Sequence, residues 1–283
     1  MNLEIFHPIV RTWFERRFGT PTEAQSKGWP AIVSGRHTLI AAPTGSGKTL
    51  AAFLISLDKL VRDALAGDLP ESTQVVYVSP LKALANDIQR NVVEPLDEIT
   101  TLARDMGISL PEIRIGIRTG DTSRRDRARH VRKPPHVLIT TPESLFILIT
   151  SESGREALKS THTLILDELH ALVPNKRGSH LSLSVERLCA LTEGAMIRIG
   201  LSATQHPIEE VGRFLTGMTG HVQSEHDHRG AHVESTDLPE ASPAVIVDTG
   251  HRRAMDLGIE IPQDLNLGPI ATHEHWAQVL DRI

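Results

Sequence analysis

The sequence predicts an α/β fold in which a parallel sheet carries helices on both faces. Three observations predict it. Short apolar or β-branched runs bounded by turn residues recur along the chain, longer segments between them repeat apolar residues at helical spacing, and the short runs are nearly continuous in apolar character, as strands covered on both faces are. With 283 residues, 40% of them hydrophobic, the chain can bury a substantial core.

The predicted strands, in order, are His37 to Ala42, Gln74 to Ser79, Ile113 to Ile117, His136 to Thr140, Thr163 to Asp167 and Ile197 to Ser202. Between them, Leu50, Phe53, Leu54, Leu57, Leu60 and Val61 mark one helix, and Leu181, Leu183, Val185, Leu188 and Leu191 mark another. Leu81 to Asp105 reads as two helices, because Pro95 lacks the amide that a helix interior needs. After about Gly220 the texture changes: His221, His226, His228 and His232 are scattered among acidic, Ser, Gly and Pro residues up to Pro243, as in a solvated surface segment rather than a metal site. Ala244 to Asp248 and Leu257 to Ile261 then look like two strands. The expected layout is one main domain over 1–220, a linker or insertion over 221–243 and the beginning of an incomplete second domain over 244–283.

The first twenty residues include Glu4, Arg11, Glu15, Arg16 and Arg17 and hold no apolar run of the kind a signal peptide or membrane span requires, so a cytoplasmic protein without a membrane partner is expected. One cysteine, Cys189, excludes an internal disulfide and a cysteine-based zinc site. A net charge of −5 excludes a global polycationic field, so affinity for nucleic acid must come from a local patch. Such a patch runs from Arg114 to Lys133, where Arg118, Arg124, Arg125, Arg127, Arg129 and Arg132 face only Asp121 and Asp126; a charge run of this kind also suits a solvated helix face.

The strongest local signal is Ala42-Pro43-Thr44-Gly45-Ser46-Gly47-Lys48-Thr49, placed after a predicted strand and before a predicted helix. Gly45 and Gly47 let backbone amides converge on phosphate oxygens, and the helix N-terminus adds favourable partial charge. Lys48 is expected to reach the β and γ phosphates of a nucleoside triphosphate, and the Thr49 hydroxyl to ligate Mg²⁺. The apolar strand that begins at Thr163 ends in the adjacent carboxylates Asp167 and Glu168, at the strand end where parallel sheets hold ligands. Asp167 is expected to hold the metal, and Glu168 to orient and deprotonate the attacking water; an Asp-Glu pair at a strand end can also merely cap the next helix. Ser202-Ala203-Thr204 ends a further strand, and its hydroxyls suit a bridge from a metal-site carboxylate to a neighbouring surface.

Taken in order, Phe18-Gly19 with Pro21, Thr22 and Gln25, then APTGSGKT, SPLKALAND, RTGDT, TTPESL, DELH and LSAT, resemble the motifs of superfamily 2 DExH helicases, and the large helicase-related (Lhr) family in particular. The similarity covers roughly Phe6 to Gly217. It implies a RecA-like phosphate-loop domain that uses ATP and Mg²⁺, within a protein acting in nucleic-acid repair or processing. It implies that Gln25 reads the adenine edge with Phe18 or Trp13 beside the base, that Ala42, Thr44, Gly45, Ser46, Gly47, Lys48 and Thr49 hold the nucleotide, and that His170, Ser202 and Thr204 couple the site to a second domain. Ser79, Lys82, Arg118, Thr119, Gly120, Thr140, Thr141 and Pro142 would hold the backbone of a single strand, either DNA or one strand of an RNA–DNA hybrid, with the arginine patch contributing.

In that family a second RecA-like domain supplies arginine fingers and the other wall of the cleft. No glutamine- and arginine-rich motif of that kind follows Thr204, and Arg252 and Arg253 do not fit one. The expectation is therefore an ATP-binding lobe with weak ATPase and no unwinding alone, a truncated gene product or N-terminal fragment whose partner domain could act in trans. The alternative is an orphan ATP- and nucleic-acid-binding module that regulates or complements a separate helicase chain. An unrelated transporter ATPase, kinase or GTPase is disfavoured, since no LSGGQ-type segment precedes Asp167 and Asn175-Lys176-Arg177 follows no strand.

Overall fold

Seven short strands lie side by side in a computed structural model that describes residues 3–80, 88–204, 207–217 and 243–250. They are β1 (Thr38–Ala41), β2 (Val75–Val78), β3 (Ile115–Arg118), β4 (Val137–Thr140), β5 (Thr163–Leu166), β6 (Ile197–Ser202) and β7 (Val245–Asp248). Their order is β3-β4-β2-β5-β6-β1-β7, and every pairing is parallel. This is the RecA-like architecture that the sequence predicts.

Period-2 alternation splits the strands β1, β2, β4 and β5 between two cores. Ile40, Val75, Tyr77, Ile139, Ile165 and Ile199 join one cluster, beneath α1 (Pro8–Phe18), α2 (Glu23–Val33), α3 (Lys48–Ala66) and α4 (Glu94–Asp105). Leu39, Val76, Val78, Leu138, Leu164 and Leu166 join the other. That second face is covered by α6 (Pro142–Thr150), α7 (Glu152–Leu158), α8 (Leu169–Leu172), α9 (Lys176–Leu191) and α10 (Ile208–Thr216). The remaining helix, α5 (Arg124–Arg132), has no buried residue and starts at the Ser123 cap.

Two expectations change. Pro95 does not separate two helices within the described residues. A π-helical turn, Gln89–Val93, runs directly into α4, and Pro95 sits in the first turn of α4, where a missing amide is tolerated. Val245–Asp248 does not begin a second domain: β7 pairs with β1, matching Thr38 to Val245 and Ala41 to Asp248, and Val247 is buried in the same core as Ile40. Its apolar pattern identified a strand, but periodicity does not say which sheet a strand joins. The compact unit to which these strands belong ends at Gly250. The histidines of 221–232 and the Leu257–Ile261 run lie outside the described residues. No helix among the described residues is long and apolar enough to cross a membrane.

At the amino ends of the strands, ring nitrogens replace missing strand partners. His37 Nδ1 accepts the Arg198 amide at 3.1 Å and His136 Nδ1 accepts the Arg114 amide at 3.0 Å. Arg198 itself is buried on β6, where its guanidinium grips both Glu186 oxygens at 2.7 and 3.1 Å and the Leu215 carbonyl at 3.1 Å. It thereby ties α9 and the end of α10 to the sheet. The Cys189 thiol packs beside it, 2.9 Å from a guanidinium nitrogen, and burial raises the thiol pKa.

Candidate functional site

Because all the strands are parallel, their carboxyl ends form one edge, and the chemistry-bearing segments leave from three neighbours there. β5 leads to Asp167, β6 to Ser202 and β1 to Ala42. The Ala42 amide donates to the Ser202 carbonyl at 3.1 Å, so the loop starts in register with the β6 terminus. Gly45 and Gly47 turn the loop with φ of 81° and 79°, backbone that a side chain adopts only at a cost, and Gly47 caps the amino end of α3. The expected loop residues are thus brought together. Lys48 is buried, Thr49 half-buried in the first helical turn, and Thr44 and Gly45 exposed.

The loop suits a phosphate-bearing ligand on observations independent of its sequence. The Ser46 hydroxyl is buried without a hydrogen-bond partner, and the Lys48 ammonium is buried within electrostatic reach of Asp167. A buried cation and an unpaired donor at a helix N-terminus are costly unless an anion meets them.

Gln25 reaches this loop, although its amide is already engaged. Its Oε1 accepts the Thr22 amide at 2.9 Å in a capping box at the start of α2, and its Nε2 donates to the Gly47 carbonyl at 3.5 Å. Of the two aromatic candidates beside it, Trp13 is corrected: it is buried, and its Nε1 donates to Glu98 at 2.7 Å. Phe18 is 48% exposed, and its ring packs against Trp13 and Phe14 with centroids 5.7 and 5.2 Å apart.

Asp167 is buried and both its oxygens are engaged. Oδ1 accepts the Glu168 amide at 2.8 Å, and Oδ2 accepts a short hydrogen bond from the Tyr77 hydroxyl. Burial pushes its carboxyl above the usual range, against the pull of Tyr77, the Glu168 amide and Lys48. Glu168 has φ 53° and ψ 41° and is the only non-glycine residue with positive φ among the described residues. Left-handed backbone at a glutamate is strained, and strain of this kind concentrates at functional sites.

His170 links two of the expected motifs. Its Nδ1 accepts the Ala203 amide at 3.1 Å, which leaves the neutral ring's proton on Nε2, 3.1 Å from Glu168 Oε2. Glu168, His170 and Ala203 therefore form a continuous chain. Ser202 is buried with its hydroxyl on the Ala203 carbonyl at 2.8 Å, whereas Thr204 is exposed. No group of three or more His, Cys, Asp or Glu able to hold a metal occurs among the described residues. A divalent cation would accordingly lean on Thr49, Asp167 and the ligand's own phosphates, the usual arrangement for Mg²⁺.

The ends of β2, β3 and β4 carry the residues expected to hold a strand, and several are occupied structurally. The Thr140 hydroxyl donates to the Arg118 carbonyl at 2.7 Å, and Thr141 caps α6 by accepting the Ser144 amide at 3.4 Å. Both threonines are buried, as is Pro142 at the start of α6. Ser79 is buried with an unpartnered hydroxyl, and Lys82 lies outside the described residues. Thr119 and Gly120 shape the turn after β3, which Arg127 braces through the Gly120 carbonyl at 2.8 Å and the Thr122 carbonyl at 2.9 Å.

The arginine patch therefore divides. Arg114, Lys133 and Arg129 are paired with Glu71, Glu112 and Asp126, while Arg124, Arg125 and Arg132 are exposed on α5 and Arg118 is half-buried beside the turn. No motif in the sequence marks Arg177 as a binding residue. It donates to Glu143 at 2.7 Å and to the Pro80 carbonyl at 3.2 Å, joining the β2 exit to the start of α6.

Comparison with known proteins gives a consistent result. The DEAD/DEAH box helicase family matches residues 22–211. The chain is 43% identical over 278 residues to the Lhr helicase/probable uracil glycosylase of Mycolicibacterium smegmatis, covering 98% of this chain and 17% of that protein. It is 46% identical over 260 residues to the ATP-dependent helicase Lhr-Core of Methanothermobacter thermautotrophicus, covering 92% of this chain and 28% of that protein. Among solved structures, Mycobacterium smegmatis helicase Lhr bound to ssDNA and AMP-PNP superposes with a TM-score of 0.71 at 52% identity, over 76% of this chain and 27% of that one. The chain thus spans less than a third of the length of these relatives.

Proposed function

The chain belongs to the DEAD/DEAH box helicase family, and from that premise we propose that the carboxyl edge of its sheet binds ATP with Mg²⁺ and grips a single-stranded nucleic-acid backbone, as the ATP-binding lobe of an Lhr-like motor. The observation that carries this reading is the convergence on one edge of a left-handed glycine loop, the buried Lys48, the paired Asp167 and Glu168, and His170 joined to Ala203. The structure of the mycobacterial Lhr bound to ssDNA and AMP-PNP supports the choice of ligands.

In this reading Lys48 and the loop amides hold the β and γ phosphates, and Gln25 and Phe18 lie toward the base. Magnesium, held through Thr49 and Asp167, would neutralise charge on the phosphates. Glu168 takes a proton from the attacking water. His170, donating from Nε2, keeps that carboxylate oriented and reports its state to the Ser202-Ala203-Thr204 segment. Arg118 and the exposed arginines of α5 meet strand phosphates, aided by backbone amides near Thr119, Gly120 and the start of α6. Such contacts favour no base sequence.

A facing RecA-like lobe, in cis or in trans, would supply an arginine finger, a contribution on the order of 10³ to 10⁵ in related phosphoryl-transfer enzymes. Slow turnover by these 283 residues alone is part of the proposal, as are a place in nucleic-acid repair or processing and a cytoplasmic location. The test is single-turnover hydrolysis by Glu168→Gln. Turnover should fall by roughly 10² to 10⁴ while ATP affinity stays within about twofold. Undiminished turnover would remove Glu168 from the chemistry.

A further inference from the structure

We propose that Tyr77 is a positioning residue for the metal-side carboxylate, holding Asp167 in one orientation and so setting how tightly Mg²⁺ is gripped. This rests on the nucleotide-site reading above. Tyr77 lies on β2 in register with Ile165, two residues before Asp167 on the neighbouring β5. A strand reading Val75-Val76-Tyr77-Val78, buried at every position, needs only apolar side chains for packing. A hydroxyl in that setting must find a partner or pay the cost of burial, and here it donates to Asp167 Oδ2.

With Oδ1 taken by the Glu168 amide, the carboxylate is held at both oxygens before any cation arrives. The Tyr77 ring also packs at 4.9 Å, tilted, against Phe53 of α3, the helix that opens with Lys48 and Thr49. One side chain therefore touches the phosphate helix at its ring and the metal carboxylate at its hydroxyl. A carboxylate fixed in this way loses little freedom on meeting a cation, and that preorganisation strengthens binding.

Tyr77 is the only tyrosine in the chain, so incorporation of 3-fluorotyrosine gives a single ¹⁹F resonance. With the full 283-residue protein saturated by AMP-PNP in EDTA, adding excess Mg²⁺ should move that resonance, and Asp167→Asn should abolish the movement. In parallel, Tyr77→Phe keeps the ring packing. It should raise the Mg²⁺ concentration needed for half-maximal metal-dependent tightening of fluorescent ATP binding roughly tenfold, the scale of one hydrogen bond to a charged group, and leave affinity in EDTA unchanged. A resonance that ignores Mg²⁺ overturns the proposal, as does a Tyr77→Phe loss that is equal with and without Mg²⁺, since that is the signature of a purely structural role. Lys48→Ala separates the two levels. If it abolishes nucleotide binding while Tyr77→Phe changes nothing, only the Tyr77 inference fails. If Lys48→Ala binds nucleotide normally, the site reading itself fails and takes this one with it.

Discussion

Replacing Gly47 by alanine tests the loop geometry without touching a charged group. Gly47 has φ 79°, and a Cβ there would lie 2.7 Å from Gln25 Nε2. The left-handed backbone costs an alanine about 1 kcal/mol or slightly more. Gln25 is flexible at its tip, but its amide is fixed by the Thr22 cap and the Gly47 carbonyl, and moving it aside sacrifices the capping bond at a cost of about 1 kcal/mol. Gly47→Ala should therefore destabilise the ligand-free protein by about 2 kcal/mol, visible in urea unfolding and as a fall in Tm of roughly 4–8 °C. Gly45→Ala provides the contrast, because Gly45 has φ 81° but nothing within 4 Å of its Cβ position, and it should cost only about 1 kcal/mol. In a Gln25→Ala background the excess at Gly47 should vanish, giving a coupling energy of about 1 kcal/mol. Equal costs at Gly45 and Gly47, or zero coupling to Gln25, would refute the packing described for this loop.

Two other outcomes concern the opposite edge of the sheet. Burial first, and then nearby positive charge, lowers the pKa values of His136 and His162 from 6.5 to about 4, so both rings are neutral in the fold at neutral pH. The unfolded chain takes up these protons below pH 6.5 and the fold resists until about 4, so their stabilisation is complete above pH 6.5 and is lost as pH falls through that window. With allowance for partial hydration, the loss should be on the order of 1 kcal/mol each by pH 5. Urea unfolding at pH 7.5 and pH 5 reads it, and a His136→Gln/His162→Gln variant should show a flatter pH dependence; an unchanged slope would exclude these residues as the cause. Arg198→Met should cost roughly 2–4 kcal/mol by removing the clamp on Glu186 and the Leu215 carbonyl. A variant as stable as the parent would mean that packing alone holds α9 and α10.

The strands could be read from sequence because a parallel strand buried on both faces is an unbroken apolar run, and the loop Ala42 to Thr49 because glycine spacing and a following helix leave few other conformations. What could not be read depends on which strands are neighbours. Tyr77 lies within the predicted strand Gln74 to Ser79 and Arg198 within Ile197 to Ser202, and the partners of neither are visible until β2 is seen beside β5 and β6 beneath α9. The same ignorance of pairing put Val245–Asp248 in a second domain. The internal bonds of Thr140 and Thr141, to the Arg118 carbonyl and from the Ser144 amide that starts α6, are likewise invisible until β4 is seen beside β3 and the helix start is seen. The left-handed backbone of Glu168 has no sequence signal, since glutamate is not a residue that favours it.

Titration calorimetry of the purified 283-residue protein with ATP and Mg²⁺ tests the central claim most directly. A single saturable site should appear, and Lys48→Ala, which removes the buried ammonium from the loop, should weaken it roughly 10- to 100-fold while the protein stays folded by circular dichroism. A well-folded protein that takes up no ATP, or a Lys48→Ala variant that binds it as tightly as the parent, would contradict the account.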